Sequence, residues 1–194
     1  MRKQSDIIKQ LSDHDLKFQL IVSQSLLICL SITLSYFLFE SFLDWHYYFE
    51  LSYYDFFYYG VLPGLIIVAI DLCLTLLPAR FYDDGGINQR IFRNRSVLEI
   101  FVLVLLIAIA EELLFRGVIQ TTFGYILAST LFALIHFRYL QKPVLFLSIL
   151  LVSFYIGYIF LLTENLFVTI IIHFVVDFVL GLTIRFQKRG VIDG

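Results

Sequence analysis

Six apolar segments, each long enough to cross a lipid bilayer, constrain this chain more than any other feature. A bilayer core about 30 Å thick needs roughly 20 apolar residues of α-helix. With 60% hydrophobic and 15% charged residues, the composition is unlike that of a soluble domain. We therefore predict an all-α fold, a polytopic membrane helix bundle of about six transmembrane helices. The predicted spans are 19–39, 55–77, 97–118, 123–140, 143–162 and 166–186.

These spans divide the chain into consecutive parts. A leader at 1–18 precedes two N-terminal transmembrane helices within 19–77. A linker at 78–96 contains Pro, Asp-Gly and Gly-Gly, which end one helix and let another begin. A block of four helices follows at 97–186, and a tail occupies 187–194. The leader lacks the short apolar region and cleavage site of a secretory signal peptide, so we expect the first span to be retained.

Basic residues are confined almost entirely to alternate loops. Of the 14 Lys and Arg residues, 13 lie in the leader, the loops after the second and fourth spans and the tail, or within three residues of these segments at the end of a span. An excess of Lys and Arg marks the cytoplasmic side of a membrane protein. The pattern predicts cytoplasmic termini, with the leader, linker and tail on that side. We expect a multi-pass integral protein of the plasma (inner) membrane of a prokaryote. The remaining basic residue is Arg116.

Three charged residues lie together in the third span, in the segment AEELLFRG at 110–117. Glu112 and Arg116 are four residues apart on a helix, with the acid on the N-terminal side, which is the favoured orientation for an ion pair. Glu111 points about 100° away from Glu112 and has no such partner. Because an intramembrane charge is costly, Glu111 is either functional or simply protonated in an apolar site.

Two further motifs place chemically active side chains in the same block of spans. The segment FALIH puts His136 one turn after Phe132 in the fourth span. The segment HFVVD puts His173 and Asp177 on one face of the sixth span. A glutamate beside two imidazoles makes either a general acid and base site or a metal site.

The ordered trio Glu-Glu-x-x-x-Arg, Phe-x-x-x-His and His-x-x-x-Asn/Asp resembles the CAAX protease and bacteriocin-processing (CPBP, or Abi) family of intramembrane endopeptidases. The resemblance covers 97–186. It implies that Glu111 and His136 activate a water molecule for attack on a peptide carbonyl. It also implies that His173 and Asp177 stabilise the oxyanion.

The resemblance assigns supporting roles to three neighbouring residues as well. Glu112 and Arg116 would hold the helix end in shape, and Phe132 would pack behind His136. Asp177 departs from the pattern, because many members have asparagine there and an ionised aspartate cannot donate to an oxyanion. Either Asp177 is protonated, or it orients His173 through a hydrogen bond. We favour the second interpretation.

Cofactor and partners are less strongly indicated. Glu111, His136 and His173 would suit a divalent metal such as zinc with one open position. The spacing is not that of a His-Glu-x-x-His helix, and a metal-free mechanism stays open. As partners we expect membrane lipid and a protein or peptide substrate, and no nucleic acid.

Two other functions stay open on the residues alone. A proton-coupled transporter also buries acids and histidines, and Asp71, after the break at Pro63 and Gly64, would be its extra site. A non-catalytic membrane scaffold or immunity protein could keep the same fold. Neither alternative explains why Glu111 lacks a partner.

The depths of the site residues can be compared by helical rise. At ~1.5 Å per residue, Glu111 lies ~21 Å above the cytoplasmic edge and His173 ~10 Å below the outer edge, so their depths agree in a core of ~30 Å. A straight fourth span would leave His136 ~10 Å too deep. We therefore expect residues 118–126, including Gly124, to dip into the protein before the helix begins.

The predicted topology can be tested with reporter fusions at residues 48 and 88. The two fusions should report opposite sides of the membrane, because basic residues surround position 88 and acidic residues surround position 48. Alkaline phosphatase and green fluorescent protein fusions measure the two sides. Reports from the same side would show that the predicted number of spans is wrong.

Overall fold

The computed structural model describes residues 11–50, 52–76, 78, 81, 84–140 and 142–187. Most of the predicted leader and of the predicted tail lies outside the described residues, together with part of the linker. The basic residues counted at positions 2, 3, 9, 80, 188 and 189 lie outside them too.

The described chain is helical, with no strand among the described residues. A 3₁₀ helix at Phe42–Tyr48 lies between the first two long helices. The helix at Tyr53–Leu74 contains a π-helical segment at Phe56–Val61. The helix at Val97–Glu112 continues through a π-helical segment at Leu113–Gln120 and a last turn at Thr121–Phe123. The helices are α1 (Asp13–Leu38), α2 (Tyr53–Leu74), α3 (Ile87–Phe92), α4 (Val97–Glu112), α5 (Tyr125–Ile135), α6 (Pro143–Thr163) and α7 (Leu166–Phe186).

The predicted membrane helix bundle is confirmed. In the described part of the chain, α1, α2, α6 and α7 are each long and apolar enough to cross a membrane. Helix α4 with its π-helical continuation runs unbroken over 97–123, ~40 Å at ~1.5 Å per residue. The chain is therefore an all-α integral membrane protein.

The fourth predicted span, 123–140, differs from the structure. Its helix, α5, has only 11 residues and a length of ~16 Å, about half of a bilayer core. Gly124, at φ 92° and ψ 162°, separates α5 from α4, and His136, at ψ 44°, ends α5. The predicted break thus occurs at Gly124, whereas residues 118–123, which we expected to leave the helix, remain helical.

Helix α7 is the central element of the bundle, since α2, α3, α4 and α6 all pack against it. Its buried residues Val168, Ile172 and Val176 form one core cluster with Ile67 of α2 and Ile156 of α6. A second cluster joins Phe92 of α3 to Ile100 and Val104 of α4, with Phe174 and Phe178 of α7 packed against it. The first cluster holds α2 and α6 against α7, and the second fixes the position of α4 relative to α7.

Small residues bring α5 and α6 close together. A Cβ atom on Gly157 would lie 2.7 Å from Ser129 Oγ, so only glycine fits there. Ser153 Oγ donates to the Ser129 carbonyl at 3.0 Å, and Tyr125 Oη donates to the Phe154 carbonyl at 2.8 Å. Close approach of small residues and hydrogen bonds across helices is the usual way that helices associate in lipid.

The 3₁₀ helix after α1 packs against the π-helical segment of α4. Its Trp45 donates from Nε1 to Ser35 Oγ at 3.1 Å. A Cβ atom on Gly117 would lie 2.6 Å from Trp45 Cζ3. Gly117 therefore provides the space that the indole ring fills, one residue after Arg116.

We predict that Gly117→Ala lowers the stability of the folded protein by about 1–3 kcal/mol, because the added methyl group would overlap the indole ring. Thermal unfolding in detergent measures the loss. Trp45→Ala removes the overlap, so the double variant should be no less stable than Trp45→Ala alone. Additive losses from the two substitutions would contradict this packing.

Candidate active site

The start of α4 is fixed by a capping box. Ser96 Oγ accepts from the backbone N of Glu99 at 3.2 Å, and the backbone N of Ser96 donates to Glu99 Oε2 at 3.0 Å. Lys17 of α1 pairs with the other Glu99 oxygen at 3.0 Å. This end of α4 is therefore held in place, and the helix carries Glu111 and Glu112 into the bundle four turns further on.

Glu112 is fully buried and contacts two basic side chains. Its Oε2 lies 3.4 Å from Arg116 Nε, as the spacing of the two residues predicted, and both side chains have 0% exposure. Its Oε1 lies 3.0 Å from Nδ1 of His173 on α7. Because a carboxylate only accepts, the imidazole donates from Nδ1 in this hydrogen bond. Glu112 thus joins α4 to α7 as well as pairing with Arg116.

Sequence reasoning missed this second contact of Glu112. We predicted a supporting role for Glu112 with Arg116, and we predicted that Asp177 would orient His173. In the structure Asp177 Oδ2 lies 3.6 Å from His173 Nε2, on the other side of the ring from Glu112. Glu112 is therefore the residue that holds the Nδ1 side of this imidazole.

Glu111 is the acid that faces the Nε2 side of His173. Its Oε2 lies 3.9 Å from His173 Nε2, and its exposed fraction is only 7%. Asp177 reaches the same ring nitrogen from a more open position, since its side chain is 35% exposed. The structure therefore brings together three of the four predicted catalytic residues, Glu111, His173 and Asp177.

His136 lies at the C-terminal end of α5. Its Nδ1 is 2.9 Å from the carbonyl of Phe132. Because a carbonyl only accepts, the imidazole donates from Nδ1 in this contact. The His136 ring also packs against the rings of Phe132 and Tyr139, with centroids 5.1 and 6.1 Å away.

The ring of Phe132 joins the two histidines. Its centroid lies 5.1 Å from the His136 ring and 5.9 Å from the His173 ring. The guanidinium of Arg116 lies over the same ring at 4.8 Å, a cation–π contact. Phe132 packs behind His136 as expected, and it also packs against the ion pair and His173.

The π-helical segment directs two polar side chains to α6. Arg116 Nη2 donates to the Ser153 carbonyl at 3.3 Å, and Gln120 Nε2 donates to the Gly157 carbonyl at 2.8 Å. π-Helical segments often occur at functional sites. Sequence reasoning did not identify these partners. The available signal was the pair of small residues Ser153 and Gly157, four residues apart on α6, because small residues let a neighbouring helix approach closely.

The predicted metal ligands do not meet in this geometry. Among the residues that the structure describes, no group of three His, Cys, Asp or Glu side chains is arranged to hold a metal ion. Nδ1 of His173 is engaged by Glu112, and the described contacts of His136 are with other residues than Glu111 and His173. A catalytic zinc needs three protein ligands, so this arrangement does not fit zinc, and metal dependence stays a prediction.

Asp71, the extra site of the transporter alternative, has a partner elsewhere. Its Oδ1 accepts from Ser148 Oγ of α6 at 2.9 Å. This contact joins α2 to α6 and gives the half-buried carboxyl group a hydrogen-bond partner.

Comparison with known proteins agrees with the motifs. The family model for type II CAAX prenyl endopeptidases, Rce1-like, matches residues 93–179, which include Glu111, Glu112, Arg116, His136, His173 and Asp177. The chain belongs to the CAAX protease and bacteriocin-processing family, a family of intramembrane peptidases.

A bacterial relative extends the likeness beyond the motifs. The uncharacterized protein YpbD of Bacillus subtilis (strain 168) is 47% identical over 131 residues, which are 67% of this chain and 69% of that protein. No solved structure matches the chain.

We predict different effects on stability for the two adjacent glutamates. Glu112→Gln keeps the shape of the side chain but leaves Arg116 buried without its counter-ion, which should cost about 3–5 kcal/mol. Glu111→Gln should leave stability nearly unchanged or improved, because Glu111 forms no ion pair with an arginine in the part of the chain that the structure describes, and its Oε2 lies 3.9 Å from His173 Nε2. Thermal unfolding of both variants in the same detergent measures the difference. Equal stability of the two variants would contradict the separate roles of the two acids.

Proposed function

We propose that this chain is an intramembrane endopeptidase that hydrolyses a peptide bond of a membrane-associated protein or peptide. The observation that carries the proposal is the arrangement around His173. Its Nδ1 is held by the fully buried Glu112, and its Nε2 faces Glu111, which is not ion-paired with any arginine among the described residues. An imidazole oriented on one side, with a carboxylate facing the other, is the arrangement that acid and base catalysis requires.

In this proposal Glu111 acts as a general base. A carboxylate with a 7% exposed fraction faces little bulk water, which strengthens its interaction with a bound water molecule. Glu111 would take a proton from that water as its oxygen attacks the peptide carbonyl. The same proton would then pass to the leaving amine, so that the two products carry the atoms of one water molecule.

His173 would stabilise the oxyanion formed in this attack. With Nδ1 held by Glu112, only Nε2 can donate to a substrate oxygen, and the ring cannot turn without breaking a 3.0 Å hydrogen bond. Pre-oriented donors of this kind are usually the largest single contribution to stabilising a transition state. Asp177, on the open side of Nε2, would place a second carboxylate beside the imidazole.

His136 would assist Glu111 from the end of α5. Its contact with the Phe132 carbonyl uses Nδ1, so in the proposed mechanism Nε2 is the atom that would accept a proton or a hydrogen bond from the water. Phe132 packs against both imidazoles. Substrate binding would bring His136 to the water held by Glu111.

The experiment is cleavage of a peptide library by purified protein in lipid vesicles, read by mass spectrometry. Glu111→Ala and His173→Ala should each lower the rate about 10²–10⁴-fold, because each removes a positioned acid or base. The triple variant of Glu111, His136 and His173 should be little slower than a single one, since residues that act as a unit do not contribute additively. Glu40→Ala, which removes an exposed acid outside the site, is the matched control and should keep full activity.

Three outcomes would count against the proposal. Full activity of Glu111→Ala would remove Glu111 from the chemistry. Additive losses in the triple variant would show that the three residues do not act together. No cleavage by the folded wild-type protein would favour the scaffold alternative. The same assay with and without a chelator and added zinc tests metal dependence separately.

A further inference from the structure

The turn that follows α5 carries an aromatic residue against His136. Residues Phe137–Tyr139 form a 3₁₀ helix, in which side chains three residues apart lie directly over one another. The Tyr139 ring is therefore stacked on the His136 imidazole, with centroids 6.1 Å apart and an angle of 10° between the planes. Backbone hydrogen bonds from Tyr139 N to the His136 carbonyl and from Lys142 N to the Tyr139 carbonyl, both 2.8 Å, hold this turn.

A residue of the linker holds the other end of Tyr139. Asn88, in the first turn of α3, donates from Nδ2 to Tyr139 Oη at 3.5 Å. Asp84 fixes that turn, since its Oδ2 accepts from the backbone N of Asn88 at 2.8 Å and its Oδ1 from that of Gly86 at 2.9 Å. Asn88 thus lies on a locally constrained segment.

Helix α3 is itself anchored to the helix that carries His173. Phe92 is buried against Ile100 of α4, and a Cβ atom on Gly181 of α7 would lie 3.2 Å from the Phe92 ring. Ile87, at the start of α3, is only 4% exposed. Helix α3 therefore connects α7, which holds His173, to the turn that holds His136.

We propose that Tyr139 and Asn88 are positioning residues for His136, through which helix α3 sets the orientation of this imidazole relative to His173. The main-chain contact at Nδ1 restrains one edge of the His136 ring, and the stacked tyrosine restrains its face. Together they leave Nε2 in a defined direction. This inference rests on the proposed role of His136. Asn88 precedes residues 93–179, so the linker would contribute to a site that the family match does not include.

The test uses the full-length protein in lipid vesicles and separates the ring of Tyr139 from its hydroxyl group. Tyr139→Leu removes the stack and should lower kcat by up to about 10²-fold with little change in KM, the effect of a misplaced catalytic group. Tyr139→Phe keeps the ring and should recover most of that loss. Tyr139→Phe and Asn88→Ala should each lower kcat by less than about tenfold, because each removes the 3.5 Å hydrogen bond between the two side chains and leaves the aromatic ring in place. Tyr36→Leu, at a tyrosine of α1 that is 73% exposed, is the matched control.

A second measurement does not depend on proteolysis. Carbethoxylation of histidines by diethyl pyrocarbonate, followed by mass spectrometry, reports the accessibility of His136, with His14, whose side chain is 86% exposed, as the internal reference. Tyr139→Leu should raise the labelling rate of His136 severalfold relative to His14, and Tyr139→Phe should not. If the wild-type protein proved inactive, the proposed function would fail while this labelling would still test the stack.

Two results would overturn the inference. One is wild-type kcat in Tyr139→Leu when Glu111→Ala abolishes cleavage. The other is equal labelling of His136 in the wild-type protein and in Tyr139→Leu. If Tyr139→Leu did not fold, the test would rest on Asn88→Ala and Tyr139→Phe. An unchanged kcat in both variants would show that the contact between Asn88 of α3 and Tyr139 does not influence His136.

Discussion

The buried carboxyl group of Glu112 is the interaction on which the rest of the site depends. Its two oxygens contact Arg116 and Nδ1 of His173, and its side chain has no exposure to solvent. A charge in such a place is tolerated only when it is paired and hydrogen-bonded. One carboxylate thus offsets the cost of burying Arg116, orients His173 and ties α4 to α7. Arg116 extends the connection to α6 through the Ser153 carbonyl.

Polar contacts of this kind replace the hydrophobic driving force, which is weak between helices in lipid. The π-helical continuation of α4 directs Arg116 and Gln120 to carbonyl groups of α6. Gly157 lets α5 and α6 approach closely, which brings Phe132 to the site. The same helix–helix contacts that assemble the bundle therefore also position the catalytic candidates, and a disturbance of packing would alter the chemistry.

The family, the all-α membrane fold and the Glu112–Arg116 pair could be predicted from the sequence, because helical periodicity and apolar length act within one segment. The contact between Glu112 and His173 could not, since the two residues are on different helices and spacing along the chain does not say how α4 and α7 are rotated. The position of His136 could not be predicted from the sequence either. It depends on where α5 ends, at Ile135, although the predicted span continued to residue 140 because Phe137, Tyr139 and Leu140 are also hydrophobic.

The sequence by itself determined which residues are available for chemistry and that they lie in a membrane. The costs of burying charge and of leaving backbone groups without hydrogen bonds act on any arrangement of the chain. Only the tertiary structure decided which carboxylate lies next to which nitrogen of His173. It assigned Glu112 to the Nδ1 side of His173, left Glu111 and Asp177 on the Nε2 side, and put Tyr139 against His136. The physical reason is that hydrogen bonds depend on distances of a few tenths of an ångström, which the packing of several helices sets together.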